Sequence, residues 1–324
     1  MLRDATEDGK PHIWDAWSPN GDHEEAFVAA VTTYGAIAAV DVLETQLTPG
    51  SEVPGISTRA ELKDVFELGA TISPHLSNAE PLGATAVLWN DQARDELFSE
   101  HDVAIWEQVN LPAIGGFEAF EAIGQSPLVL TGQTLDSDIP SSVRTLYAPN
   151  LDALSADQLA ALDRFEARGG VIVSDGPDTD WSTESAYQAS LANLIQTLSD
   201  APQSPVIISG LPESTHGVVY QKSNDNSDDT IVVAITNDFT FHQRSLFLDP
   251  LPEEDINPTP DDIPAGVVID ISDEVFSADA TEIHAYDAIT GTVIDVIETE
   301  NGLALSLPEI GRMAVIVIDS VSID

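Results

Sequence analysis

The spacing of hydrophobic and polar positions changes period several times along this chain, and most clearly between Thr145 and Pro177. There an apolar strand, a punctuated helix and a second apolar strand follow one another. Ser155 and Gln158 stand as N-cap and N3 of a capping box, with Leu154 and Leu159 spaced for a hydrophobic staple. Leu159, Leu162 and Phe165 recur at helical spacing and predict one apolar face over Ser155–Arg168. Arg164 and Arg168 fall in the last turn, where they complement the helix dipole, and Gly169 is placed for a left-handed C-cap. Val171-Ile172-Val173 is apolar without alternation, as a strand covered on both faces would be. The unit predicts an α/β domain built on a parallel sheet.

The same alternation extends over residues 81–212. Strands are expected at Ala84–Trp89, Pro127–Thr131, Arg144–Ala148, Gly170–Ser174 and Ser204–Ser209. Helices are expected at Asp91–Glu100, Gly116–Ile123, Ser155–Arg168 and Thr183–Leu198. Strands alternating with helices in this way make an open, doubly wound sheet. Over residues 213–324 the helical period disappears. Gly217–Gln221, Thr230–Thr236, Arg244–Leu248, Val267–Ile271, Glu282–Tyr286, Thr292–Ile297, Leu303–Leu307 and Met313–Ile318 read as short strands of an antiparallel β-sandwich. Asp249–Pro264, rich in proline and acid, reads as a solvated loop. Residues 1–80 form the third region. Strands at His12–Trp17 and Ala36–Leu43 and helices at Asp22–Tyr34 and Arg59–Leu76 predict two strand–helix units, part of an α/β barrel but too few to close one.

Charge adds a constraint on the solvent. The 324 residues carry 56 acidic and 11 basic side chains, a formal net charge of −45, spread along the whole length. A hydrophobic content of 43% is ample for packed cores, so this is not a disordered acidic tail. Self-repulsion on this scale calls for screening, and the Debye length falls to about 3 Å at 1 M salt. The balance predicts a protein of an extreme halophile, a generally acidic enzyme being the plainer alternative. It argues against nucleic acid and anionic membranes as partners. No run reaches the roughly 18 apolar residues of a transmembrane helix, and the first ten residues hold no apolar signal core, so a cytoplasmic location is expected. With no cysteine, disulfides, thiol nucleophiles and thiolate zinc sites are excluded.

Candidate chemistry is sparse. Ile172-Val173-Ser174-Asp175-Gly176 sits at a strand end, where a nucleophile elbow G-x-S-x-G would place its serine, but Ile172 replaces the first glycine. The next histidine downstream is His216, so a strand running into a loop is the simpler reading. Asp15 with Trp17, and Asp41 with Glu44, lie at or just beyond the ends of the two N-terminal strands. In a complete barrel that edge carries the active site, and paired carboxylates beside aromatic rings suit glycoside hydrolysis. Asp41 and Glu44 are therefore the catalytic candidates, and Asp15 and Trp17 the substrate-binding ones, against the alternative that each is acidic surface or packing. The seven histidines (His12, His23, His75, His101, His216, His242, His284) show no zinc-binding spacing. Asn224–Asp229 has oxygen ligands but lacks the glycine and distal glutamate of a calcium loop, and reads as a hairpin turn. Trp89, Trp106 and Trp181 read as core or interface. No phosphate-cradling glycine loop is present, and no metal or cofactor is expected.

The order of these pieces resembles the C-terminal part of family 42 beta-galactosidases and related glycoside hydrolase-like proteins. The residues that carry the resemblance are Ala84–Trp89 with Asn90-Asp91, Tyr147-Ala-Pro-Asn150, Leu154-Ser-Ala-Asp-Gln158 through Gly169–Val173, and Glu282–Ile318 with Leu305-Ser-Leu-Pro308. The resemblance implies the end of a catalytic barrel, then an amidotransferase-like trimerisation domain, then a closing β-sandwich. Amidotransferase chemistry needs a cysteine that this chain lacks, and the family's catalytic glutamates lie on barrel strands upstream of anything present here. The expectation is thus a truncated or split member. Its role would be oligomerisation and carbohydrate-associated assembly, with two alternatives: an active or split glycosidase, and a carbohydrate-binding module. A homo-oligomer follows, a trimer favoured over a dimer, with part of Met1–Leu76 packed on the middle domain or a neighbouring subunit.

The charge generates the first test. The melting temperature should rise steeply from dilute buffer to about 1 M potassium chloride, with unfolding or dissociation below a few tenths molar. A melting temperature independent of salt would contradict this reading.

Overall fold

The computed structural model describes residues 13–16, 37–40, 59–97, 106–176, 179–212, 215–223, 229–237, 262–276 and 282–321. Strand β1 (Ile13–Ala16) pairs in parallel with β2 (Ile37–Val40), Asp15 opposite Ala39 and Ala16 opposite Val40. Helix α1 (Arg59–Leu76) and the two-residue strand β3 (Glu80–Pro81) follow. The expected helix at Asp22–Tyr34 lies outside the described residues.

The α/β domain follows β3. Its strands β4 (Thr85–Trp89), β5 (Leu128–Thr131), β6 (Thr145–Tyr147) and β7 (Val171–Val173) form a wholly parallel sheet of order β5-β4-β6-β7. Its helices are α2 (Asp91–Leu97), α3 (Leu111–Ala122), α4 (Gly132–Ser137), α5 (Ala156–Ala167) and α6 (Glu184–Ser199). A π-helical turn, Trp106–Asn110, leads into α3. Alternate strand residues point to opposite faces, which is why two separate cores form. Ala86, Leu88 and Leu146 pack against Leu135, Leu162 and Phe165 on one side. Val87 and Tyr147 pack against Leu111, Phe120, Tyr187 and Leu198 on the other. The sheet is doubly wound, as expected.

The ends of α5 explain why it starts and stops where it does. The Ser155 N–H donates to Gln158 Oε1 at 3.0 Å and the Gln158 N–H to Ser155 Oγ at 3.3 Å, closing the capping box. At the other end Gly169, at φ +94°, and Gly170 donate to Glu166 O and Phe165 O, the two bonds of a Schellman motif. The buried face differs from expectation. Leu159 is 41% exposed, whereas Gln158, Ala161, Leu162 and Phe165 are buried. The capping box turns Gln158 inward, and Leu159, one position (about 100°) further round the helix, faces out.

The sandwich packs a six-stranded sheet on a four-stranded one. The larger sheet has the order β13-β12-β16-β10-β9-β3 and contains β9 (Thr215–Ser223), β10 (Asp229–Asn237), β12 (Glu282–Asp287), β13 (Val293–Ile294) and β16 (Met313–Val321). The smaller has the order β14-β15-β11-β8 and contains β8 (Val206–Ser209), β11 (Val268–Ser272), β14 (Val296–Thr299) and β15 (Gly302–Ser306). Ile231, Val233, Ile235, Ile316 and Ile318 meet Val206, Ile208, Ile269, Ile271 and Leu305 between the sheets. The intervening residues Val232, Ala234, Val315 and Val317 point the other way and are buried too, because α1 covers them with Leu68, Ile72 and Leu76. This accounts for the unbroken apolar runs at the centre of β10 and β16.

One sequence expectation is corrected here. Ser204–Ser209 does not extend the parallel sheet; β8 pairs antiparallel with β11, Ile208 opposite Ile269. Its burial alternates, with Val206 and Ile208 inside and Ser209 exposed, so it suits a sheet with one covered face. Helix α1, the last part of the Met1–Leu76 stretch, caps the sandwich with its apolar stripe. Smaller departures are the early start of α3 at Leu111, the short α4, and the division of Thr292–Ile297 between the two sheets at Asp295. Arg244–Leu248 lies outside the described residues.

The α/β domain is sewn into the sandwich at both ends, through β3 on β9 and β8 on β11. Between these seams the turn after α3 grips the sandwich. The Ile208 N–H donates to Gly124 O at 2.8 Å, the Ser204 N–H to Gln125 Oε1 at 2.6 Å, and His216 Nδ1 meets both Glu121 carboxylate oxygens at 2.8 and 2.9 Å. Gly124 sits at φ +76°, and a Cβ there would lie 2.6 Å from Ile208 O, so both conformation and contact require glycine.

Docking of α1 provides the second test. Ile72 is fully buried between helix and sheet. Ile72→Ala should cost about 2–5 kcal/mol, read by urea unfolding in molar salt. A change under about 0.5 kcal/mol would show that α1 does not seal the sheet.

Candidate functional site

In an open parallel sheet, ligands bind beyond the carboxyl ends of the strands, where consecutive connections leave toward opposite faces. With the order β5-β4-β6-β7 that point lies between β4 and β6. The residues there are Trp89 at the end of β4 with Asn90 and Asp91 after it, and Ala148, Pro149 and Asn150 after β6.

The chain's own side chains fill this crevice. Buried Asn90 donates from Nδ2 to Asn150 O at 3.0 Å, and its Oδ1 accepts from the Ala93 N–H at 2.9 Å, capping α2. Asn150 holds a left-handed conformation, φ 58°, and its Nδ2 donates to Gln108 O in the π-helical turn. Trp89 Nε1 donates to Asn110 Oδ1 at 3.1 Å, and the Arg94 guanidinium lies 5.1 Å above the Trp89 ring. Asparagine suits these positions because it both donates and accepts, and it tolerates the left-handed region.

An open cleft of about 610 Å³ remains one strand over, above β4 and β5, lined by Asp91, Gln92, Asp95, Gly132, Gln133, Asp136 and Gln158. Its floor is closed by the Gly132 N–H on Asp91 Oδ1 at 2.8 Å and by Gln158 Nε2 on Gly132 O at 3.0 Å. The lining offers carboxylates and amides, with no hydroxyl, amine or histidine side chain. Among the described residues no group of three or more histidine, aspartate or glutamate side chains could hold a metal ion.

A second polar cluster lies after β7. Tyr147 Oη donates to Asp175 Oδ1 at 2.5 Å, and Tyr187 Oη to Glu118 Oε2 at 3.0 Å. Burial holds the Asp175 carboxyl above the usual carboxylate range, opposed by the Tyr147 hydrogen bond. The Trp181 indole N–H lies close enough to favour the charged form, although it completes no hydrogen bond. Burial, then the neighbouring Asp175 charge, pushes the Tyr147 phenol well up. Gly115 and Gly116 of α3 make room for these rings, since a Cβ on them would lie 2.3 Å from Trp181 and 2.1 Å from Tyr147.

The sequence candidates are placed as follows. Asp15 lies in β1, and the C-terminal ends of β1 and β2 are side by side. Trp17, Asp41 and Glu44, and residues 224–228 of the acidic turn, lie outside the described residues. Ser174 is exposed where β7 runs into a loop, and His216 is paired with Glu121 at the domain junction, so no serine–histidine arrangement forms. His75 packs edge-on to Tyr286, and His284 is exposed beside Glu282. Trp181 is core, 5.0 Å from Tyr187. The Asn90–Asn150 plug and the Tyr147–Asp175 bond are not signalled by periodicity, although Asn90, Tyr147 and Asn150 stand in the segments that carried the resemblance.

The chain matches no sequence-family profile and no curated protein. Solved structures do match it. Alpha-L-fucosidase isoenzyme 2 from Paenibacillus thiaminolyticus is similar over 94% of this chain and 58% of its own, with a TM-score of 0.60 and 11% identity. The beta-galactosidase from Bacillus circulans sp. alkalophilus is similar over 96% of this chain and 56% of its own, with a TM-score of 0.57 and 10% identity. The chain has a beta-galactosidase-like fold. It spans less than two thirds of either protein. Among the described residues no helix is long and apolar enough to cross a membrane.

The plug gives the third test. Removing the Asn90 amide strands the half-buried Asn150 O and the buried Ala93 N–H, so Asn90→Ala should cost about 1–3 kcal/mol in unfolding free energy. An unchanged midpoint in urea would show that the crevice is not held this way.

Proposed function

We propose that this chain is a glycoside hydrolase-like protein whose α/β and sandwich domains do not catalyse but serve oligomerisation and carbohydrate-associated assembly. The observation that supports it most is the crevice between β4 and β6, filled by Asn90, Asn150 and Trp89. A doubly wound domain whose ligand crevice is occupied by its own side chains has become a scaffold. The absence of cysteine removes the thiol chemistry that amidotransferase-like sheets support. The fold shared with an alpha-L-fucosidase and a beta-galactosidase supports the link to carbohydrate.

The parallel β1–β2 pair favours a second reading, a glycosidase using Asp15, Asp41 or Glu44 with further groups from elsewhere. Parallel strands are stable only with both faces covered, so this pair needs more protein around it than two strands supply.

Assays in molar salt separate the two. The purified chain should show no glutaminase activity and no turnover of aryl glycosides, and light scattering should give an oligomer, a trimer before a dimer. A monodisperse monomer would remove the assembly role. Hydrolysis of an aryl glycoside that is lost in both Asp41→Asn and Glu44→Gln would establish the second reading.

A further inference from the structure

The tip of the hairpin between β14 and β15 joins an exposed asparagine to a glycine that the sheet cannot replace. Thr299 and Gly302 close the hairpin as a pair, which leaves Glu300 and Asn301 as the loop. Asn301 is exposed, and its backbone oxygen accepts from the Asp273 N–H at 3.1 Å. Among the described residues nothing is hydrogen-bonded to its side-chain amide. Gly302 sits at φ +143°, and a Cβ there would run into Ile271 O and lie 3.0 Å from Asp273 N. Both conformation and contact therefore require glycine.

The other described asparagines differ in the two respects that matter. Asn90, Asn110 and Asn150 have their side chains engaged by Asn150 O, Trp89 and Gln108 O. Asn237 is buried. Asn78 and Asn193 are exposed but precede alanine and leucine, whose side chains crowd the following backbone nitrogen. Only at Asn301 does an unengaged amide precede a nitrogen that no Cβ shields. We propose that Asn301–Gly302 is a site of spontaneous covalent modification, at which the Gly302 nitrogen attacks the Asn301 side chain and the folded protein converts to aspartate and isoaspartate forms.

The step is self-contained. The Gly302 nitrogen gives up its proton to the solvent and bonds to Asn301 Cγ; the Cγ–Nδ2 bond breaks, and ammonia leaves with a proton taken from water. The resulting succinimide takes up one water. Opening at the side-chain carbonyl gives aspartate, and opening at the main-chain carbonyl gives isoaspartate, whose backbone runs through the former side chain. The nitrogen is released when the Thr299–Gly302 pair opens. Since β14 is an edge strand with Ile297, Glu298 and Thr299 exposed, this is fraying of a hairpin end and not global unfolding. Aspartate adds a charge beside Glu298 and Glu300. Isoaspartate lengthens the backbone by a methylene next to Gly302, which is paired with Thr299 on one side and Ser272 on the other. The two pairings cannot both keep register around a longer chain, so this end of the four-stranded sheet loosens.

Peptide mapping of the intact protein, stored warm in mildly alkaline molar salt, tests the proposal, with isoaspartate read by enzymatic methylation. The peptide holding Asn301 should gain the mass of an amide-to-acid change and become methylatable, while those holding Asn78, Asn90 and Asn150 stay unchanged. The rate should fall several-fold in mild acid, where less of the attacking nitrogen is deprotonated, and the reaction should be lost in Asn301→Gln. The separated isoaspartate form should melt below the unmodified protein. An Asn301 that stays unmodified in molar salt overturns the proposal, whatever the unfolded chain does. Conversion at Asn78 at the same rate, a mass gain without isoaspartate, or an isoaspartate form that melts with the unmodified protein overturns it equally.

Discussion

The rest of the structure depends on the burial of the six-stranded sheet on both faces. An antiparallel sandwich sheet normally keeps one face in water. Here β10 and β16 are apolar at consecutive positions, so one set of side chains fills the sandwich and the other would be exposed without α1. The helix is amphipathic, and its Ile72 and Leu76 seat on Tyr220, Val232 and Val317. Residues that resemble the end of a barrel are thereby joined to the C-terminal domain rather than to the domain that follows them in sequence.

The two sheets of the sandwich together fix the α/β domain. Both of its flanks, β3 and β8, are strands of the sandwich, so the domain is an insertion between two seams rather than a bead on a linker. The turn Glu121–Ser126 adds backbone and side-chain bonds to the sandwich, and Arg144 meets Glu274 at 2.9 Å. Inter-domain contacts within one chain are ordinarily polar and yielding. Two hydrogen-bonded seams limit rotation here and hold the C-terminal edge of the parallel sheet in a fixed relation to the sandwich. Such rigidity suits a scaffold more than a hinged active site.

Charge acts on a different level. The excess of acids does not determine the fold, because the cores are apolar and the buried polar groups are mostly neutral: Asn90, Gln125, Gln158 and several threonines. Among the described residues, the carboxylates drawn inward meet donors. Glu121 meets His216, Glu118 meets Tyr187, Asp175 meets Tyr147, and Asp287 takes the backbone N–H groups of Ile289 and Val315. A buried carboxylate without a donor would cost several kcal/mol, so in a chain with 56 acids the interior pairs the few it admits.

Local signals in the sequence determined much of this protein. The capping box at Ser155, the stop at Gly169, and the positions of the strands from Thr85 to Val173 and from Thr215 onward are written in patterns of residues a few positions apart. Periodicity reads such features because they depend on the pitch of a helix or the pleat of a strand. It could not assign Val206–Ser209 to a sheet, since four apolar-rich residues fit a parallel or an antiparallel partner and only the position of β11 decides. Nor could it show that Leu159 faces out, that α1 covers the sandwich, or that Asn90 and Asn150, sixty positions apart, close the crevice between β4 and β6. Those outcomes depend on which surfaces meet in three dimensions. The side chains are recorded in the sequence, but the partner each one finds is set by the packing of whole elements.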